Sequence, residues 1–182
     1  MSNNNYQINE FGEIIREDYF FRTVRGTNAQ LLPFNRKVWK IYLLSFFTFG
    51  LYGLVVAFAM AKETNIACVE DGKHTRGFWE VLGLSIITFG IYYVVWYVKW
   101  LNRESKYLAN QGNEKSFKGS TYLWLMLLQV VINIIGSASS EISIICSILN
   151  IIIAIVILTK VITQHNAVCK IYNEVNNFVR KV

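Results

Sequence analysis

Four stretches of this 182-residue chain hold no charged residue at all. They are residues 41–61, 81–98, 119–140 and 142–159, with lengths of 21, 18, 22 and 18 residues. A membrane-crossing helix takes about 20 mostly apolar residues, with a range near 17–25. Each block is therefore long enough to cross once. A helix on the surface of a water-soluble domain would show a polar face at a period of 3.6. Residues 151–158 (IIIAIVIL) and 41–47 (IYLLSFF) show none. Charged residues make up 16% of the chain against about 25% in soluble domains, too few to cover four such blocks. One proline excludes proline-rich and collagen-like classes, and three cysteines exclude a disulfide scaffold. The expected fold is all-α: a polytopic membrane protein with four transmembrane helices.

Residues 1–35 carry Glu10, Glu13, Glu17 and Asp18 and lack an apolar core, so no cleaved leader is expected. The basic residues then set the orientation. Residues 1–40 carry six, 62–80 three, 99–118 five and the tail from Lys160 four, while the turn at Glu141 has none. Four single spans with the N-terminus inside put 15 on the cytoplasmic side and 3 outside, a positive-inside asymmetry with both termini cytoplasmic. One alternative stays open. If the first two blocks are re-entrant hairpins, all 18 lie inside. Each half would then be short: 11 residues, 51–61, make about 16 Å of helix.

The first two blocks repeat at an offset of 40 residues. SFFTFGLY at 45–52 aligns with SIITFGIY at 85–92. Outside that core, Arg36 and Trp39 match Arg76 and Trp79, Val55 matches Val95, and Gly72 matches Gly112. A period near 40 points to a repeated supersecondary unit. The paired Thr-Phe-Gly-x-Tyr centres resemble domain of unknown function 4234, a family of small, mostly bacterial membrane proteins, over about residues 36–112. The resemblance implies placement in the bacterial cytoplasmic membrane and no activity. Four segments follow: a cytoplasmic tail at 1–37, the repeat pair with two spans at 38–112, a transmembrane hairpin at 113–162, and an amphipathic cytoplasmic helix at 163–182. In the last, Val168, Ile171, Val175, Phe178 and Val182 step by three and four. In the tail, Ile14-Ile15 and Tyr19-Phe20-Phe21 suit a short strand pair or an interfacial helix.

Within the spans, the residues expected to matter are those that pack helices. Gly50 and Gly90 fall mid-span, where glycine serves close contact or a mild kink, or else breaks a helix at a substrate site. Gly50, Gly53, Ala57 and Ala61 share roughly one face of the first helix, expected to contact another span or another copy. Gln129 and Asn133 on the third span, and Ser143, Ser147 and Asn150 on the fourth, are placed to hydrogen-bond across an antiparallel pair, for about 0.6–2 kcal/mol each. A narrow polar pathway is the alternative. Trp39, Trp79, Tyr97, Trp100 and Trp124 sit near block ends, as in an aromatic belt.

No Asp, Glu, Lys, Arg or His lies inside any block, which counts against ion-coupled transport. His165 and Cys169 are four apart on a helix, but two ligands fall short of a structural zinc site, and Cys68 and His74 lie elsewhere in the chain. No nucleophile elbow, His-Glu-x-x-His or phosphate loop occurs. The expectation is therefore no enzyme, no cofactor and no metal. The net charge of +6 is spread beside apolar blocks and suits anionic lipid rather than nucleic acid. The function expected is that of a non-enzymatic membrane component that packs with itself or a membrane partner. A passive pore or small transporter, including a toxin-immunity or defence protein, is the alternative.

Overall fold

The structure is a computed structural model that describes residues 6–8, 14–16, 22–24, 27–113 and 116–176. Six helices make up most of it: α1 (Val38–Phe47), α2 (Leu51–Ala67), α3 (Phe78–Ile87), α4 (Ile91–Asn110), α5 (Gly119–Gly136) and α6 (Ser140–Val175). Two short antiparallel ribbons precede them. Strand β1 (Tyr6–Ile8) pairs with β2 (Ile14–Arg16), with Gln7 opposite Ile15. Strand β3 (Arg22–Val24) pairs with β4 (Thr27–Ala29). Ile14 and Ile15 thus lie in a strand pair. Tyr19, Phe20, Phe21, Phe178 and Val182 lie outside the described residues.

The first two apolar blocks are not continuous helices. Each is divided by a turn at its Thr-Phe-Gly centre, and the chain reverses there. At the end of α1, Gly50 N–H donates to the Ser45 carbonyl (2.7 Å) and Phe49 N–H to the Phe46 carbonyl (3.3 Å). This is the Schellman pattern of a helix C-terminus, which requires a left-handed residue. Phe49 supplies it, with φ +50°, and Gly50 follows at φ +87°. Thr48 then staples the two helices. Its hydroxyl donates to the Leu44 carbonyl (2.7 Å) and accepts from the Tyr52 amide of α2 (3.0 Å). Position by position the second copy does the same: Gly90 to Ser85, Phe89 to Ile86, and the Thr88 hydroxyl between Leu84 and Tyr92. Phe89 and Gly90 have φ of +50° and +86°. The glycines expected mid-span as contacts or kinks are therefore turn residues.

The hairpin pairing is fixed by contacts that mirror across each turn. A Cβ on Gly53 would lie 3.0 Å from Ser45 Oγ, and Arg36 meets Glu63. In the second hairpin Arg103 meets Thr75. Helices α5 and α6 form a third hairpin around a short turn, in which the Ser139 hydroxyl caps α6 by accepting from the Ile142 amide. Gly136 sits so close to α6 that a Cβ would lie 3.0 Å from that of Cys146.

By length and composition, α5 and α6 are the two helices that could cross a membrane, and their apolar stretches are mostly exposed. A core helix of a soluble protein would be mostly buried. Helix α6 has 36 residues, about 54 Å, against roughly 30 Å of hydrocarbon. Its second half, the segment expected as a separate amphipathic helix, continues the same helix. Of its expected stripe, Val168 is buried and Ile171 half-buried, while Val175 is exposed; Val168, with Cys169 and Tyr172, packs on Leu32, Ala67 and Leu108.

A second core cluster joins α2, α3, α4, α5 and α6. Trp96 stacks on Trp100 (5.7 Å between rings) and Tyr97 on Tyr122 (4.7 Å). Tyr97 and Trp100 are thus core residues, while Trp39, Trp79 and Trp124 stay exposed as a belt would require.

Replacing both Thr48 and Thr88 by valine removes both staples while keeping the side-chain shape. The expected loss is about 1–2 kcal/mol at each site, read as a fall in the thermal midpoint of the purified protein in detergent. An unchanged midpoint would show that the hydroxyls do not hold the turns.

Candidate functional site: a buried acid, histidine and thiol cluster

The polar residues gather at the open ends of the three hairpins. The 40-residue offset places Glu63 level with Arg103, and Thr64 level with Glu104, on α2 and α4. Helix α6 runs between them. His165 is completely buried there, with each ring nitrogen against a carboxylate. Nδ1 is 2.6 Å from Glu104 Oε1, and Nε2 is 2.8 Å from Glu63 Oε2. Cys169 Sγ, one turn further along α6, is 3.3 Å from Nε2 and 3.8 Å from Glu63 Oε2.

Each carboxylate is held from behind. Glu104 Oε1 also lies 2.8 Å from the Thr64 hydroxyl and accepts from Trp100 Nε1 (3.0 Å). Its second oxygen is buried and has no partner among the described residues. Glu63 Oε1 accepts from Arg36 Nη2 at 2.5 Å. Arg36 is fixed in turn by Asn166, whose side-chain amide exchanges hydrogen bonds with the Arg36 backbone N–H and C=O. Asn173 clamps Leu32 in the same way. The segment before α1 is thereby laced to α6.

Burial alone would raise the Glu63 carboxyl, but the hydrogen bonds from His165 and Arg36 outweigh it and hold it below the usual range. Burial would lower His165, and the Glu104 charge overrides it, so the ring is held well above its usual value as an imidazolium. Two cations, Arg36 and His165, thus balance two carboxylates, which is what allows the group to be buried.

A second knot ties the two repeats together. Arg103 reaches Asp71 through two hydrogen bonds (2.7 and 2.9 Å). It also donates to Asn65 Oδ1, Thr75 Oγ1 and the carbonyls of Cys68 and Lys73. This locks the link from the 3-10 turn Val69–Asp71 into α3. Beside it opens a cavity of about 670 Å³ with Lys73, Arg76, Lys99 and Lys106 on its walls.

The residues singled out from sequence are placed as follows. Gly53 lies against α1, and Ala57 and Ala61 are buried inside the chain, so this small-residue face is filled by the protein's own helices. Gln129, Asn133 and Asn150 come together: Gln129 donates to the Asn150 carbonyl (3.2 Å) and Asn150 to Asn133 Oδ1 (3.0 Å). Ser147 bonds instead to the Ser143 carbonyl of its own helix. Gly50 and Gly90 touch nothing where a Cβ would stand. Among the cluster residues, His165 and Cys169 were visible as an i, i+4 pair. Glu63, Glu104 and Arg36 were missed, and their only signal was the repeat offset.

Three antiparallel helical hairpins meeting at one polar head define a small helical bundle built on a duplicated Thr-Phe-Gly turn. The family model described as "Domain of unknown function (DUF4234)" matches residues 36–77 and again 76–177. The chain belongs to that family. No curated protein and no solved structure gives a significant match.

The Arg103 knot has a pH signature. Burial acts to raise the Asp71 carboxyl, but its hydrogen bonds from Arg103 outweigh this and set it below the usual range. The stability it contributes is therefore complete above about pH 4, its unfolded value, and falls as pH drops through the lowered value. Asp71→Asn should flatten that acid-side loss, and Arg103→Lys should cost on the order of 2 kcal/mol at neutral pH. Thermal midpoints across pH test both. An acid limb that Asp71→Asn leaves unchanged would remove Asp71 as its source.

Proposed function

We propose that the protein is an integral membrane component anchored by α5 and α6, with its polar head at the cytoplasmic surface. The two Thr-Phe-Gly hairpins enter the membrane from that same side and turn back partway. The observation that carries this reading is the separation of surfaces. The hairpin tips present Phe46, Phe47, Phe49 and Leu51, then Ile86, Ile87, Phe89 and Ile91, to the outside, with Phe49 99% and Phe89 96% exposed. Exposed apolar surface on this scale marks a lipid or partner contact. A ten-residue helix reaches about 15 Å, half the hydrocarbon thickness. Backbone turns are tolerated at that depth only when their polar groups are satisfied. The amides of residues 48 to 52, and of 88 to 92, all have acceptors.

Orientation follows from charge. The head holds Arg36, Lys62, Lys73, Arg76, Lys99 and Lys106, whereas the α5–α6 turn has only Glu141 nearby. The role is non-enzymatic, through packing with a second copy or a membrane partner. The wide exposed apolar faces of α5 and α6 favour this, since surface on that scale fits packing against another helix or lipid.

Single cysteines at His74 and Ala138 test the topology, because both sites are exposed while the three native cysteines are buried. In oriented vesicles, a membrane-impermeant maleimide should label His74→Cys from the cytoplasmic side and Ala138→Cys from the opposite side. Labelling of both from the same side would restore four single spans. Crosslinking in native membranes should give a discrete oligomer or complex. Monomer at every expression level would remove the packing role.

A further inference from the structure

The geometry points to a transition-metal site formed by Glu63 Oε2, His165 Nε2 and Cys169 Sγ, of the kind that takes zinc. These three donor atoms all lie within 4.8 Å of one another. A tetrahedral zinc with bonds of about 2.0–2.3 Å has ligand-to-ligand edges of roughly 3.3–3.6 Å. The edges here are 2.8, 3.3 and 3.8 Å. Their mean matches, and only the histidine–glutamate pair must open, by about half an ångström.

The surroundings match those of a metal site. A ligating histidine commonly gives its other ring nitrogen to a carboxylate, which fixes ring and tautomer. Glu104 is that carboxylate, itself held by Trp100 and Thr64. Arg36 occupies Oε1 of Glu63 and leaves Oε2 for the ion. Cys169 is fully buried beside Leu32, Ala67 and Leu108, and its sulfur also faces an imidazole and a carboxylate. Soft thiolate with imidazole selects zinc over magnesium or calcium.

Charge also balances. On binding, His165 and Cys169 each release one proton and the ion brings two positive charges. The buried cluster keeps its net charge, so metal replaces protons without adding an unpaired charge to the interior. Three protein ligands leave the fourth position to water or an incoming group.

The test uses full-length protein in detergent, stripped with a chelator and titrated with cobalt(II). The expected result is one equivalent bound, with a thiolate-to-cobalt charge-transfer band and the visible bands of a tetrahedral ion. Zinc should displace it. The Cys68→Ala/Cys146→Ala variant should keep the band, because Cys169 remains. Cys169→Ser should lose it. Glu104→Gln should weaken binding by about 10–100-fold while the band persists, as expected of a positioning residue. If Cys169→Ser fails to fold, the wild-type titration decides alone. A wild-type protein that binds no cobalt, or binds it without a thiolate band, would overturn the proposal.

Discussion

Everything in this fold depends on reversing a helix inside an apolar stretch without leaving a backbone amide unpaired. Thr48 and Thr88 solve it with one hydroxyl each, which donates to the outgoing helix and accepts from the incoming one. The accompanying left-handed phenylalanines cost about 1–2 kcal/mol apiece. The same strained residue stands at both turns, with its ring outermost and exposed. Once the chain has turned at both tips, the outer ends of all three hairpins lie on one side.

That return makes the head. Helices α2, α4 and α6 bring their polar halves together, and the charges that no apolar block could hold are balanced there against each other. Arg36, Glu63, His165 and Glu104 form one neutral buried group, and Arg103 with Asp71 forms another. Neither knot is a surface decoration, since each joins elements more than 25 residues apart. The aromatic layer of Trp96, Trp100, Tyr97 and Tyr122 lies between this head and the exposed apolar helices.

The sequence displayed the apolar blocks, the 40-residue offset and the amides of the third hairpin plainly. It concealed the reversals. Twenty-one uncharged residues suit one full span and two half-depth helices equally well. The usual mark of a Schellman turn, glycine in the left-handed position, is absent because Phe49 and Phe89 take that position and glycine comes one later. The small-residue face of Gly53, Ala57 and Ala61 was legible as a packing face, but its partner, α1 and the core of the same chain, follows only from the turn. For the cluster, Glu63 and Glu104 lie outside the apolar blocks and 41 residues apart. Only folding at Thr48 and Thr88 sets them on either side of His165. The 40-residue offset, carried past the apolar blocks, sets Thr64 level with Glu104 and is the one trace of that layer in the sequence.

The whole arrangement rests on the reversal of α1 into α2, and one distance measures it. Spin labels at Lys40 and Lys62, exposed residues on the two arms of the first hairpin, would be read by pulsed electron resonance with the protein in lipid bilayers. Packed antiparallel helices lie 8–10 Å apart, so the account predicts a label separation of about 20 Å. A continuous span would hold the labels on opposite surfaces, at least about 30 Å apart, and a distance of that size would contradict it.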